Sequence, residues 1–294
     1  LRAMGLLPLD VSCRVDRFGR MTVEAEAARG EKTRLSRSEL TREVSRACGK
    51  PFSPPCVSTA QGKCRIQMSE KPVYRVETGF SQHIFGNGRL CGDSFSCFED
   101  GCGRQAAVLS DGMGAGGRAA VDGAMASGLF SRLLQAGVGP EAALQVVNSA
   151  LIAKSGDESL ATLDLVQLDL FSGEACFYKA GAALSIVRHN GRAAAVDAPS
   201  LPVGILNESS FARRTGSLGD GDLVVLMSDG ALSSGEEWIL QEVESFSGSN
   251  PQELAESLVC GAVPRRSDGH DDGVTVLVLQ IKAPRRSFPE EEAS

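Results

Sequence analysis

Gln105 to Ala120 reads QAAVLSDGMGAGGRAA. An apolar run, Ala106 to Leu109, stops at Asp111, a glycine-rich turn follows, and the alanine-rich segment after it has helical character. A carboxylate set where a buried strand meets a turn is well placed to face a cleft. The pattern returns in shorter form at 223–230, LVVLMSDG, where a second apolar run ends in Ser-Asp-Gly. Two such units far apart in the chain imply a fold that brings two carboxylates to one site.

Outward from this stretch, the spacing of Val121, Met125, Leu129 and Leu133 predicts a helix over 118–136, and Pro140 opens a second, with Glu141 in its first turn. Strands are expected at 73–80, 161–171, 175–180, 185–188, 193–196, 211–216, 222–227 and 274–281, with a late helix from Pro251 to Cys260. His189-Asn190-Gly191-Arg192 reads as a hairpin turn, Gly86-Asn87-Gly88 as another turn, and Cys91 to Phe95 as a further acidic turn. Adjacent strands without helices between them favour antiparallel sheets with helices packed outside. Before residue 73, a hairpin (11–15 with 21–25) precedes a helix opened by Ser36 and Glu39 and closed by Gly49, and 51–62 reads as loop. This segment carries no recognisable chemistry.

The chain has 294 residues, 42% hydrophobic and 23% charged, which supports a packed core. A net charge of −7 argues against nucleic acid or an anionic membrane as the main partner. No apolar run reaches the roughly 20 residues of a membrane helix, and residues 2–9 do not form a signal peptide. Because the chain starts at Leu1, it is expected to be a piece of a longer protein. Nine cysteines, none in a Cys-x-x-Cys pair, and only three histidines point to reduced, mostly buried thiols rather than a zinc site.

Gly112 to Gly117 matches G-x-G-x-x-G, yet Asp111 would set a carboxylate against a dinucleotide's pyrophosphate, and the helix leads to another helix. The stronger constellation is acidic. Asp93, Asp111, Asp229 and Asp272 each stand where an apolar strand meets a glycine-containing turn. Singly, each reads as a turn-capping aspartate. Together they would repel strongly unless cations neutralised them. Two divalent cations, Mn²⁺ or Mg²⁺, suit such an oxygen set, and Gly112 offers a carbonyl that a metal can approach. Ser110 and Ser228 lack a nucleophile elbow. His270 is either an assisting group or a loop histidine, and Arg89 either meets a phosphate or is a solvated hairpin arginine. Gly114, Gly116 and Gly117 either serve the tight turn alone or form a hinge that transmits helix movement to Asp111.

CGDSF, VLSDGMGAGGRA, VNSALIAKSGDESLATLDLVQLDL, LPVGIL, LMSDG and DDGVTVLVL occur in an order that resembles the PPM (protein phosphatase 2C) serine/threonine phosphatases. Within them the chain is most similar to the C-terminal domain of the stage II sporulation protein E family. Residues 1–72 read as a small linker or regulatory α+β segment, and the acidic tail 284–294 reads as disordered. The resemblance implies a four-layer α-β-β-α sandwich of class α+β over 73–283. It implies that Asp111 bridges two metals, that Gly112 adds its carbonyl, that Asp229 and Asp272 hold one metal, and that Asp93 binds directly or through water. Asp271 stays open beside Asp272, because the last motif departs from the family's pattern. The implied reaction is in-line attack of a metal-bridged water on a phosphoserine. The implied substrate is a phosphorylated anti-sigma-factor antagonist, whose dephosphorylation promotes sigma-factor activation in sporulation. A homodimer is compatible with this, and the parent protein is expected to be membrane-anchored with this domain cytoplasmic. The alternatives are a stress-response phosphatase with another phosphoprotein substrate, and a non-catalytic partner-binding switch.

Overall fold

The computed structural model describes residues 2, 6–28, 36–60, 63–84, 91–114, 116–154, 159–206, 210–265 and 273–283. The chain divides into two compact units, Leu1–Pro72 and Val73–Ser294. No helix among the described residues is long and apolar enough to cross a membrane.

In the first unit, β1 (Leu7–Val15), β2 (Met21–Ala28), β3 (Cys56–Ala60) and β4 (Lys63–Ser69) form an antiparallel sheet in the order β1-β2-β4-β3, with helix α1 over Arg37–Cys48. Asp16 closes the first hairpin, since its Oδ1 accepts from the amides of Phe18 and Arg20. Ser36 caps α1 by accepting from the Glu39 amide, and Gly49 ends it at φ 68°, a left-handed value that suits glycine. The loop expected over 51–62 contains β3. That edge strand leaves most side chains exposed and is held by backbone pairing to β4, so it lacks the apolar alternation that announces a strand.

The second unit contains β5 (Arg75–His83), β6 (Asp93–Glu99), β7 (Arg104–Asp111), α2 (Gly116–Gln135), α3 (Pro140–Lys154), β8 (Leu163–Asp169), β9 (Glu174–Ala180), β10 (Ser185–His189), β11 (Arg192–Val196), β12 (Ala212–Ser217), β13 (Leu223–Met227), α4 (Asp229–Leu232), α5 (Glu236–Ser245), α6 (Pro251–Arg265) and β14 (Val274–Lys282). Two five-stranded antiparallel sheets result, ordered β12-β9-β8-β7-β6 and β11-β10-β13-β14-β5.

Alternation along the strands sorts three cores. Leu163, Leu165 and Tyr178 face Phe130, Leu144 and Leu151 of α2 and α3. Val225, Val276 and Val278 face Ile239, Leu254 and Leu258 of α5 and α6. Leu109, Val166, Phe177, Leu226 and Leu277 fill the space between the sheets. The result is the expected α-β-β-α sandwich. Burying a Val, Leu or Phe side chain contributes about 1.5–3 kcal/mol, so the three clusters dominate its stability.

Helices α4 and α5 were not legible in the sequence. Helix α4 has four residues, and α5 buries only Ile239 and Val243, a stripe too narrow for a clear helical period. The cysteine expectation needs correction. All nine thiols are free, but only Cys64 is buried, and Cys13, Cys56, Cys102 and Cys260 are exposed. Cys13 and Cys56 lie on the edge strands β1 and β3, where there is little to cover them.

Candidate metal centre

Strands β6 and β7 pair so that Asp93 and Asp111 stand directly opposite each other. Asp93 is buried and Asp111 half-buried. From the other sheet, the Thr275 hydroxyl donates to Asp93 Oδ2 at 2.5 Å, and Gln82 Nε2 donates to the Thr275 oxygen at 2.9 Å. Burial pushes the Asp93 carboxyl up from the usual range. Hydrogen bonds with Thr275, Ser228 and Asp111 oppose that rise, and the charge of Asp229 adds to it. The fold has brought Asp111 and Asp229 close enough to Asp93 to act on its carboxyl.

The main chain around Asp111 is held rigidly. Its amide donates to Thr162 Oγ1 at 2.9 Å, and its carbonyl accepts from the Thr162 amide at 2.8 Å. Glycine is required beside it, because a β-carbon on Gly112 would stand 1.8 Å from the Ala119 carbonyl oxygen, and one on Gly123 would stand 2.2 Å from that of Gly92. Helix α2 thus lies directly on the ends of β6 and β7. Asp111 Oδ1 and the Gly112 carbonyl oxygen are each 3.3 Å from the point where a β-carbon on Gly92 would stand, so both oxygens face one cradle that a larger residue would fill.

Asp229 is exposed and is the first residue of α4, behind the N-cap Ser228. Ser228 is bound to β14: its amide donates to the Thr275 carbonyl, and its Oγ accepts from the Thr275 amide, each at 3.0 Å. Its Oγ also lies 3.4 Å from the Gly273 carbonyl oxygen. The two Ser-Asp-Gly units are therefore built differently. Asp111 ends a strand, whereas Asp229 opens a helix; Ser228 is hydrogen-bonded, whereas the fully buried Ser110 Oγ has no partner among the described residues. Asp111, Thr162, Asp164, Gly181, Ala183, Ser228 and Asp229 line one cleft.

Of the residues singled out from the sequence, Asp93, Asp111, Gly112 and Asp229 are brought together. Asp272, Asp271, Arg89, His270 and the Gly86–Gly88 turn lie outside the described residues. Among the described residues no group of three or more His, Cys, Asp or Glu side chains is arranged to hold a metal ion by itself. What the centre offers is carboxylate oxygens and one backbone carbonyl, a set that suits a hard divalent cation. Beside it, burial and the neighbouring Asp93 push the Cys91 thiol up to about 11. Sequence reading missed Thr275, Gln82, Thr162, and the buried pair Asp164 and Lys179. A charged residue inside an apolar run, as in TLDLVQL and CFYKA, was the available signal for the last two.

A family model described as Stage II sporulation protein E (SpoIIE) matches residues 101–282, more than half of the chain. Stage II sporulation protein E of Bacillus subtilis (strain 168) is 32% identical over 226 residues, which is 75% of this chain and 27% of that relative's length. The solved PP2C phosphatase domain with a fragment of the regulatory domain of the cell fate determinant SpoIIE from Bacillus subtilis gives a TM-score of 0.73 at 26% identity, covering 96% of this chain and 86% of that one. RsbX, solved in complex with magnesium, shares the fold with a TM-score of 0.57 at 18% identity, covering 78% of this chain and 100% of that one. The chain belongs to the SpoIIE family and carries its PPM/PP2C-type serine/threonine phosphatase domain.

Proposed function

We propose, from membership of the SpoIIE family, that the chain is a metal-dependent protein serine phosphatase whose centre is Asp93, Asp111, Gly112, Asp229 and Asp272. The observation that carries this is the convergence of Asp93, Asp111 and Asp229, from three separate elements, beside one cleft. Magnesium in the related RsbX supports a divalent cation as the cofactor. Two such ions, Mn²⁺ or Mg²⁺, when bound, supply a nucleophile from water at neutral pH and neutralise charge on the phosphoryl group.

The chain's own residues do the rest. Thr275 and Ser228 hold the Asp93 carboxyl and the start of α4 against β14, and Thr162 holds the Asp111 backbone. These contacts set the carboxylates in place before substrate arrives, which is the preorganisation such catalysis needs. Gly112 lets α2 lie on the strand ends, where no side chain would fit, and its carbonyl faces the Gly92 cradle beside Asp111 Oδ1. The acidic centre repels a phosphate until it is neutralised, so hydrolysis requires added cation.

The family supports, as substrate, a phosphoserine in an anti-sigma-factor antagonist. Its dephosphorylation promotes sigma-factor activation in sporulation, and the domain is then cytoplasmic in a membrane-anchored parent. Hydrolysis of p-nitrophenyl phosphate by the purified chain, with Mn²⁺ and with chelator, tests the enzyme. Release of phosphate from the phosphorylated antagonist, against an unrelated phosphoprotein, tests the substrate. Cation-independent turnover, or equal rates on both proteins, would overturn the respective half.

A further inference from the structure

Asp164 on β8 and Lys179 on β9 are ladder partners, and both are almost wholly buried, at 2% and 0% exposure. Their neighbours along each strand, Val166 and Phe177, belong to the core between the sheets, so the period of two places the charged pair on that same inner face. Lys179 Nζ donates three hydrogen bonds: to Asp164 Oδ2 at 2.7 Å, to the Ala183 carbonyl at 2.6 Å and to Ser185 Oγ at 2.7 Å. Ser185, on β10 of the opposite sheet, donates in turn to Asp164 Oδ2 at 3.0 Å. The ammonium is fully satisfied and the two sheets are tied at this point.

Stability does not account for such a pair. Burying two charges costs more than their attraction commonly returns, and apolar residues of like volume are often as stable or more so. Two further observations point to the cleft instead. The other carboxylate oxygen, Asp164 Oδ1, is buried and has no hydrogen-bond partner among the described residues. Asp164 also lines the cleft formed with Asp111, Thr162 and Asp229, and the Gly181 to Ala183 turn, whose Ala183 carbonyl Lys179 holds, lines it as well.

We infer that Lys179, Asp164 and Ser185 form a positioning device for the phosphatase cleft: Lys179 and Ser185 take up Oδ2, so that Oδ1 is presented as a fixed acceptor for a water molecule beside Asp111 and Asp229. This rests on the phosphatase reading above. Lys179 has a second effect: burial favours the protonated form of Asp164, and the ammonium beside it opposes that. Asp164 is thus a positioning residue for cleft water, and Lys179 acts through it.

The test compares wild type, Lys179→Met, the double variant Asp164→Leu/Lys179→Met and Ser185→Ala in the full chain. The readouts are kcat and KM on p-nitrophenyl phosphate with Mn²⁺, calorimetric Mn²⁺ binding, and thermal melting. The expected result for the double variant is a melting point and Mn²⁺ affinity close to wild type with kcat down at least tenfold. Lys179→Met removes the main donor to Oδ2 and should lower kcat by a similar factor. Wild-type kcat in the folded double variant would show the pair to be structural only and overturn the proposal. Loss of Mn²⁺ binding in step with kcat would also overturn it, by placing the pair in support of the cations. If the double variant does not fold, Ser185→Ala decides: a kcat drop of a few-fold at unchanged KM supports the device, and wild-type kcat overturns it. A wild-type chain with no cation-dependent hydrolysis would sink the phosphatase reading itself, and this inference with it.

Discussion

The Thr275 hydroxyl donates to Asp93 Oδ2 across 2.5 Å, joining residues 182 positions apart and linking the two sheets of the sandwich at the edge where the carboxylates gather. Burial pushes the Asp93 carboxyl up, and this bond opposes that rise.

Thr275→Val keeps the shape of the side chain and removes the donor. A hydrogen bond to a charged group is worth about 1.5–3 kcal/mol. The expected result is Mn²⁺ binding weakened by at least tenfold in a calorimetric titration, with recovery in Thr275→Ser. Unchanged affinity would show that Asp93 is held in place by its strand alone.

Asp111→Asn and Asp229→Asn each remove one carboxylate at nearly constant volume. Hydrolysis of p-nitrophenyl phosphate should fall below detection in both, while thermal melting without metal stays unchanged or rises, since like charges are being removed. Near-normal turnover in either variant would strip that residue of its assigned role.

Gly123→Ala places a β-carbon 2.2 Å from the Gly92 carbonyl oxygen, which is backbone and cannot swing aside. Overpacking of this kind costs typically 1–3 kcal/mol. The variant should melt earlier and lose activity as α2 lifts from β6 and β7. Gly128→Ala, on the same helix with nothing within 4 Å of the added atom, is the control and should be at least as stable as wild type. A Gly123→Ala protein with wild-type melting would show that α2 shifts at no cost.

Burial pushes the Cys97 thiol up to about 12. The unfolded chain ionises near pH 8.5, so the native state holds this proton where the unfolded state has released it. The contribution to stability is therefore fully present below about pH 8.5 and is lost as pH rises through about 12. Melting temperature should fall between pH 9 and pH 11 less steeply in Cys97→Ala than in wild type. Alkylation at pH 8 should label the exposed Cys13, Cys102 and Cys260 well before Cys97. Early labelling of Cys97 would contradict the shift.

The sequence by itself determined most of the elements and pointed to the acidic residues that the fold brings together. Apolar periods gave the strands of both sheets except β6, and α2, α3 and α6, because burial on one face writes itself into residue spacing. Cys91 to Phe95, read as an acidic turn, instead leads into β6, whose side chains are mostly half-buried on both faces. The Ser-Asp-Gly repeat marked Asp111 and Asp229, and the family motifs carried the sandwich. Edge strand β3 and helix α5 escaped because elements that bury little leave a weak pattern. Only the tertiary structure decided which groups serve the carboxylates. Thr275 and Gln82 reach Asp93 from another sheet, Gly112 and Gly123 are glycine because α2 lies on the strand ends, and Lys179 meets Ser185 across the core. Such contacts depend on how sheets and helices stack. Local spacing records which face a residue presents, and not what stands opposite it.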